Sequence, residues 1–315
     1  MSPDELALPP ETPSPVEAPT QLPAQRGIAP VWHTVVLILA IIGFSFWGSR
    51  HADSDSLNPL APVHRSLAHS PHNAHSNPSD GEDPLRLLRY ALTGALELGV
   101  VAWVAFGLRL RKVPLRSLLG QWPRGLNDIT KEAGIAALFW IASMVVLGAA
   151  SLTWFVVQTQ IEKHQEKIPQ HNQPGKPSQP KSSEKKQVET VRQLMEIAPA
   201  NGLEIAAWGA LCLIVGFSEE LAFRGYLQSQ GIALLHRIPI AIILTSLVFG
   251  AAHGYQGIRG MCLIGLYGAL FSGIALLRRN LFPGMLAHSW HDFATGLLLA
   301  LIRSAHLLDR LTAAS

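Results

Sequence analysis

The 315-residue sequence has few charged residues and almost no cysteine. Asp, Glu, Lys and Arg make up 15% of the chain and hydrophobic residues 48%, whereas soluble domains carry about 25% charged residues. This balance excludes an ordinary soluble domain and predicts an integral membrane protein. The two cysteines, Cys212 and Cys262, both lie in apolar runs, so we expect buried single thiols rather than a disulfide.

Several motifs of soluble enzymes are also missing. The chain has no Gly-x-Ser-x-Gly nucleophile, no Walker-type phosphate loop, no dinucleotide fingerprint and no His-Glu-x-x-His zinc motif. The sequence pI is about 9.0, but the formal net charge is only +3, and no basic stripe is interleaved with aromatic residues. We therefore expect neither a nucleotide nor a nucleic acid as partner.

The N-terminal part alternates between polar and apolar segments. Residues 1–30 contain eight prolines and four acids against one arginine, which is typical of a disordered tail and unlike a signal peptide. A cluster of four histidines lies in the polar loop 50–86, at positions 64, 69, 72 and 75. Their spacing matches no closed zinc pattern, which leaves a solvated linker and a metal-binding tract as alternatives.

The apolar runs predict an all-α polytopic membrane bundle of about seven transmembrane helices, a disordered N-terminal tail and two long polar loops. The runs cover residues 31–47, 87–110, 133–157, 201–230, 238–256, 260–277 and 282–303. Breaks are expected at Gly231 with Pro239, at Gly254 with Gly257, and at residues 278–280 before Pro283. The chain thus divides into an N-terminal membrane part (31–157), a polar loop (158–200) and a four-helix domain (201–305).

The second polar loop and the basic connections carry further predictions. The end of loop 158–200 has helical spacing, which fits a helix lying at the membrane interface or one packed on the bundle. Six of the residues from 109 to 131 are basic, and basic residues also mark the turns near 236 and 278. The positive-inside rule places all three connections, and with them the N-terminus, in the cytoplasm.

The stretch from Gly216 to Gly225 places three charged residues at the end of an apolar run. Such residues usually face a bundle interior or a wet cavity. Glu220 and Arg224 are one helical turn apart and can neutralise each other, whereas Glu219 points elsewhere on the helix. Glu219 is therefore a candidate for chemistry, with a structural ion pair and a tolerated neighbour as the alternative.

Three further polar residues follow on later apolar helices. His253 comes one turn after Phe249, and His288 and Asp292 are one turn apart. A helical hairpin that turns near residue 236 sets Glu219 level with His253, each about 25 Å from the turn. A carboxylate beside an imidazole can take a proton from water, and a second histidine can stabilise an oxyanion. The inventory fits attack of water on an amide carbonyl.

The three motifs Glu219-Glu220-x-x-x-Arg224, Phe249-x-x-x-His253 and His288-x-x-x-Asp292 resemble those of the CPBP family of CAAX prenyl protease 2-like (type II CAAX endopeptidase, Abi) intramembrane proteases. The resemblance spans roughly residues 200–305. It implies a membrane endopeptidase in which Glu219 is the general base and acts with His253. Glu220 and Arg224 would organise the site, and His288 and Asp292 would line the oxyanion side.

The resemblance also frames cofactor, partners and location. It favours a metal-free enzyme, with zinc or another divalent metal held by Glu219, His253 and His288 as the alternative. The expected partners are membrane lipid and a protein or peptide substrate, including a prenylated CAAX-type protein. The expected location is a bacterial inner membrane. The competing functions are a non-catalytic scaffold of the bacteriocin-immunity type and a small transporter, although no inverted repeat supports transport.

An ionised carboxylate such as Asp292 has no proton to donate to an oxyanion. The sequence therefore predicts either that Asp292 is protonated in the cavity or that it orients His288 or His291.

Overall fold

A computed structural model describes residues 27–51, 85–166, 191 and 194–305. Within these ranges the backbone is helical apart from short connections, and the one β-type contact is an isolated bridge between Gly120 and Asn280. The all-α class predicted from the sequence is therefore confirmed. The tail over residues 1–26, the histidines at positions 64, 69, 72 and 75, and the middle of loop 158–200 lie outside the described residues.

The described ranges contain nine α-helices, a π-helical segment and a 3-10 turn. In chain order they are α1 (Val31–His51), α2 (Arg86–Leu110), α3 (Arg116–Leu119), α4 (Leu126–Glu166), α5 (Gly202–Glu219), the π segment (Glu220–Leu227), α6 (Gln228–Leu235), α7 (Ile238–Ala252), the 3-10 turn (Gly254–Gln256), α8 (Gly257–Arg278) and α9 (Phe282–Ser304).

Every apolar run predicted from the sequence contains one of these helices. By length and composition, four helical stretches in the described part can cross a membrane: Arg86–Leu110, Leu126–Ile161, Gly202–Leu235 and Gly254–Arg278. Two shorter apolar helices accompany them, Val31–Phe46 and Ile238–Ala252. Many large apolar side chains are exposed on these helices, as expected for a surface in contact with lipid.

Some predicted boundaries are wrong. Gly231 lies inside α6 rather than at a break, and the chain turns at His236, whose φ of 56° is left-handed. A Cβ at residue 231 would lie 3.2 Å from the Cβ of Ala241, so Gly231 allows α6 and α7 to pack closely. Helix α4 extends beyond the predicted 133–157 at both ends, where Glu, Lys and Gln favour helix.

The prediction that both cysteines are buried is also wrong for one of them. Cys212 is buried in α5, whereas Cys262 is exposed on α8. The apolar run around Cys262 fits a lipid-facing helix surface as well as a packed core, and hydropathy alone does not separate the two.

Two connections meet at one end of the bundle. Around the Gly120–Asn280 bridge, the backbone N–H of Gln121 donates to the carbonyl oxygen of Arg279 at 3.3 Å. Arg278 forms an ion pair with Glu132 near the start of α4, at 2.5 Å. The basic 109–131 connection and the α8–α9 turn therefore lie at the same end, as the charge pattern predicted. The side of the membrane on which this end lies stays a prediction.

The final residues of the second polar loop pack on the bundle rather than apart from it. Residues 194–197 are helical, and Met195 and Ala198 are buried. Arg303 of α9 donates to the carbonyl oxygens of Met195 and Ala198 at 2.7 and 2.9 Å. Of the two alternatives for this stretch, the described residues fit the packed helix.

The continuous helical stretch Gly202–Leu235, 34 residues long, is the central element of the C-terminal domain. It begins at Asn201, whose side chain accepts from the backbone N–H of Glu204 and so caps α5. Helix α5 packs against α2 on one side and α9 on another. Because the helical stretch continues past Gly225 to the turn at His236, the helical hairpin predicted from the sequence is confirmed.

Candidate active site

The first part of the site is a buried ion pair in the π segment. Every residue of that segment is buried. Glu220 Oε1 accepts from the Arg224 guanidinium at 2.9 Å, as the one-turn spacing predicted. Arg224 also donates to the carbonyl oxygen of Gly268 at 3.4 Å, and its guanidinium carbon lies 4.3 Å from the Phe249 ring centroid. The pair thus joins the π segment to α7 and α8.

His288 of α9 lies among three carboxyl groups. Its Nδ1 donates to Glu220 Oε1 at 3.0 Å, and Glu220 therefore bridges His288 and Arg224. Its Nε2 lies 3.6 Å from Glu219 Oε2 and 3.8 Å from Asp292 Oδ2, distances of an ion pair rather than of a direct hydrogen bond. The structure therefore brings five of the six predicted site residues into one connected group.

Aromatic rings surround the His288 imidazole edge-on. The ring centroids of Phe249, Tyr267 and Phe271 lie 6.2, 6.2 and 5.6 Å from that of His288. These rings are nearly completely buried, as is His288 itself. Such packing fixes the orientation of the imidazole and leaves its two nitrogens as the groups available for polar contacts.

The sixth predicted residue, His253, lies at the C-terminus of α7 and joins the group through an aromatic ring. Its Nδ1 lies 3.0 Å from the carbonyl oxygen of Phe249. A carbonyl oxygen only accepts, so Nδ1 carries the proton and Nε2 of the neutral ring is an acceptor. The Phe249 ring lies 5.2 Å from His253 and also contacts His288. Among the described contacts, no hydrogen bond or ion pair joins His253 to Glu219.

Two carboxylate oxygens of the group are buried without a hydrogen-bond partner among the described residues, Glu219 Oε2 and Glu220 Oε2. The side chains of Glu219 and Asp292 keep 18% and 28% of their surface exposed, against 1% for Glu220. Glu219 and Asp292 are therefore the carboxyl groups that a substrate or water can reach, whereas Glu220 is enclosed.

The arrangement does not fit the metal alternative. No group of three or more His, Cys, Asp or Glu side chains in the described ranges is arranged to hold a metal ion. Of the three candidate ligands, Glu219 and His288 approach each other within 3.6 Å, whereas the described contact of His253 with this pair is through the Phe249 ring. We therefore derive no step through a metal.

The orientation of Asp292 distinguishes between its two predicted partners. Asp292 lies one turn beyond His288 on α9, and its carboxylate points to His288 Nε2. The His291 ring instead contacts the Tyr267 ring, with centroids 5.1 Å apart. The geometry thus favours His288 over His291 as the partner of Asp292.

Two groups near the site, Glu97 and Tyr267, are not among the site residues predicted from the sequence. Ser218 Oγ donates to Glu97 Oε2 at 2.5 Å, which brings a fourth acid, from α2, near Glu219. The phenol of Tyr267 is buried beside His288 and His291. Glu97 interrupts the apolar run 87–110, and that interruption is the signal in the sequence. Nothing in the sequence distinguishes Tyr267 from a core aromatic residue.

Comparison with known proteins identifies the C-terminal domain. No curated protein and no solved structure matches the chain. Residues 201–294 match the family described as type II CAAX prenyl endopeptidase Rce1-like. The matched range is less than a third of the chain, but it contains all six predicted site residues. Residues 201–294 are therefore similar to the type II CAAX prenyl endopeptidases of the Rce1-like (CPBP) family.

Proposed function

We propose that the protein is an intramembrane endopeptidase that hydrolyses a peptide bond of a membrane-associated protein, with Glu219 as general base. The observation that carries this proposal is the Glu219 carboxylate, whose side chain keeps 18% of its surface exposed and whose buried oxygen Oε2 has no hydrogen-bond partner among the described residues. A carboxylate in this setting is ready to accept a proton from water. The match of residues 201–294 to a protease family supports the same reaction.

In the proposed reaction, water lies between Glu219 and the scissile carbonyl. Glu219 takes one proton as the water oxygen bonds to the carbonyl carbon, and the C=O electron pair moves to the oxygen. The proton then passes to the amide nitrogen as the C–N bond breaks, which yields a carboxylic acid and an amine. His253 is the second group that holds the water, since its Nε2 is free to accept while Nδ1 is bound to the Phe249 carbonyl oxygen.

His288 is the proposed donor to the developing oxyanion. Its Nδ1 is bound to Glu220, so a proton on Nε2 makes the ring a cation that faces Glu219 and Asp292. A cation held by fixed carboxylates stabilises a transient negative charge without rearranging. In this role Asp292 orients His288 and balances its charge, and Glu220 with Arg224 holds the ring in place.

The substrate class follows from the family and the setting. Glu219, Glu220 and Arg224 lie on a helical stretch long and apolar enough to cross a membrane, Gly202–Leu235, which supports a substrate presented at the membrane. The family description supports a prenylated CAAX-type chain as the first substrate to test. The proposed location is a bacterial inner membrane, with the N-terminus in the cytoplasm.

The test uses the full chain in proteoliposomes with a quenched fluorescent peptide that carries a prenylated CAAX sequence. We expect Glu219→Gln and His253→Ala each to lower kcat by about 10²–10⁴-fold, the range attributed to general acid–base groups. The matched control is Glu196→Gln, the same change at an exposed position. EDTA is expected to leave the rate unchanged.

A second assay covers substrates that the peptide does not represent. Membrane proteomes of cells that carry the wild-type or the Glu219→Gln protein are compared for new protein termini. Termini that depend on Glu219 support the proposal. Full cleavage by the Glu219→Gln protein would refute it, and a cellular phenotype that survives loss of both Glu219 and His253 would favour a scaffold role.

A further inference from the structure

Glu97 is the acid of α2 that faces the C-terminal domain. It lies in a helix long and apolar enough to cross a membrane, and it precedes the family match by about a hundred residues. An ionisable residue inside such a helix is costly unless it has a partner or a function. Its partner is Ser218, whose hydroxyl donates to Glu97 Oε2 and also lies 3.2 Å from the Val215 carbonyl oxygen.

This contact sits directly beside the proposed general base. Ser218 is fully buried and immediately precedes Glu219 in the last turn of α5. Because Glu97 accepts from the Ser218 hydroxyl, its carboxylate contacts the residue directly before Glu219. Glu97 therefore faces the same group of residues as the motif acids, although it comes from a helix outside the Rce1-like domain.

The composition of the cluster gives Glu97 a role beyond packing. The carboxyl groups of Glu97, Glu219, Glu220 and Asp292 have one permanently charged partner, Arg224. Protons held within the cluster can offset the remaining negative charge, because neighbouring carboxylates disfavour one another's ionised form. The Glu97 carboxyl group is fixed in place by the hydrogen bond from Ser218 to one of its oxygens, and it can share those protons with Glu219.

We propose that Glu97 is a positioning residue for Glu219: from α2 it anchors Ser218 and holds a carboxyl group beside the general base. This inference rests on the proposed function, because it assigns Glu97 to the same reaction. In this inference the N-terminal membrane part contributes a residue, Glu97, to the active site of the Rce1-like domain.

The kinetic test compares four variants in proteoliposomes with the prenylated peptide. Glu97→Gln keeps an oxygen that can accept from Ser218 but removes the acid, Glu97→Ala removes both, and Glu97→Asp keeps the acid on a shorter arm. Ser218→Ala removes the donor alone. We expect Glu97→Gln and Glu97→Ala to lower kcat about tenfold or more with KM nearly unchanged. Glu97→Asp should retain more activity than Glu97→Gln, and Ser218→Ala should lower kcat less than Glu97→Ala.

The control for a purely structural effect is Glu132→Gln. Glu132, like Glu97, is an acid on a membrane helix, but it is buried and pairs with Arg278 at the end of the bundle. We expect this variant to change thermal stability without lowering kcat of the folded fraction. A Glu97→Ala protein with the kcat of the wild type would overturn the proposal. A loss of activity in Glu97→Ala that is fully explained by a smaller folded fraction would overturn it as well.

A second measurement does not depend on cleavage. Infrared difference spectra recorded between two pH values contain C=O stretching bands of protonated carboxyl groups, and Glu97→Gln identifies the band of Glu97. If Glu97 and Glu219 share protons, that band shifts in the Glu219→Gln protein but not in Glu132→Gln. An unshifted band overturns the proposal. If Glu219→Gln cleaves normally, the proposed function fails, and the infrared result alone decides whether the two acids are coupled.

Discussion

Arg224 is the residue that compensates the buried Glu220. It is 4% exposed and has three kinds of contact: the Glu220 carboxylate, the Gly268 carbonyl oxygen and the face of Phe249. A planar guanidinium supplies all three at once, which the point charge of lysine does not. Removing one partner of such a pair leaves the other charge buried, which costs more than removing both.

This reasoning predicts the outcome of a double-mutant cycle on the ion pair. Arg224→Met alone should destabilise the protein by about 3–5 kcal/mol, because Glu220 is left buried without its cation. The double variant Glu220→Gln with Arg224→Met should recover much of that loss, since Gln keeps an oxygen that can accept from His288. The midpoint of thermal unfolding in detergent measures both effects. A double variant no more stable than Arg224→Met would contradict the explanation.

The same pair shows which contacts the sequence predicts. The Glu220–Arg224 contact follows from spacing on one helix, because residues four apart are always neighbours there. The Glu220–His288 contact depends on how α9 is rotated against the π segment, and helical periodicity does not determine that rotation. For the same reason the three motifs predicted which residues form the site, but not how the two histidines are placed. His288 lies among three carboxyl groups, whereas His253 joins the group through the Phe249 ring.

At the scale of elements, the π segment is the feature that sequence periodicity missed. Eight consecutive residues, from Glu220 to Leu227, adopt it directly after Glu219. Its hydrogen bonds span one residue more than those of an α-helix, which shifts the side-chain directions that follow, and such segments are frequent at functional sites. The predicted continuity of the helix past Gly225 was correct, but its assumed regular α geometry was not.

Gly216 determines how closely α5 approaches α9 just before the π segment. A Cβ at this position would lie 2.8 Å from the Met285 carbonyl oxygen and even closer to Ser289 Oγ. We therefore expect Gly216→Ala to destabilise the protein by about 1–3 kcal/mol, as overpacking does, and to lower activity by displacing Glu219 from His288.

The matched control is Gly148→Ala in α4, where an added Cβ would meet nothing within 4 Å. This change should be neutral or slightly stabilising, because Ala favours helix over Gly. Thermal midpoints and kcat of the two variants measure the difference. Equal behaviour of Gly216→Ala and Gly148→Ala would show that the α5–α9 contact is not tight.

At the scale of the whole molecule, the helix directions place three basic connections together. The 109–131 connection is bridged to the α8–α9 turn through Gly120 and Asn280. Gly225 of the π segment lies close to both connections, because a Cβ at this position would contact Leu118 of the first and Leu281 of the second. The chain continues from Gly225 through the rest of the π segment and α6 to the turn at His236, which carries the third basic connection. The sequence predicted this grouping from charge alone, because basic residues are concentrated in the short loops on one side of a membrane.

The orientation of this end can be measured by cysteine labelling in a Cys262→Ser background, since Cys262 is the exposed native thiol in the described part. We expect Ser117→Cys and Arg237→Cys to react with a membrane-impermeant maleimide only from the cytoplasmic side. Ala200→Cys should react only from the other side, because Gly202–Leu235 separates it from His236 by a helix longer than the ~30 Å hydrocarbon core. Labelling of Ser117→Cys and Arg237→Cys from opposite sides would contradict the helix arrangement described above. If all three cysteines instead react from the side opposite to the expected one, the helix arrangement holds and the N-terminus lies outside.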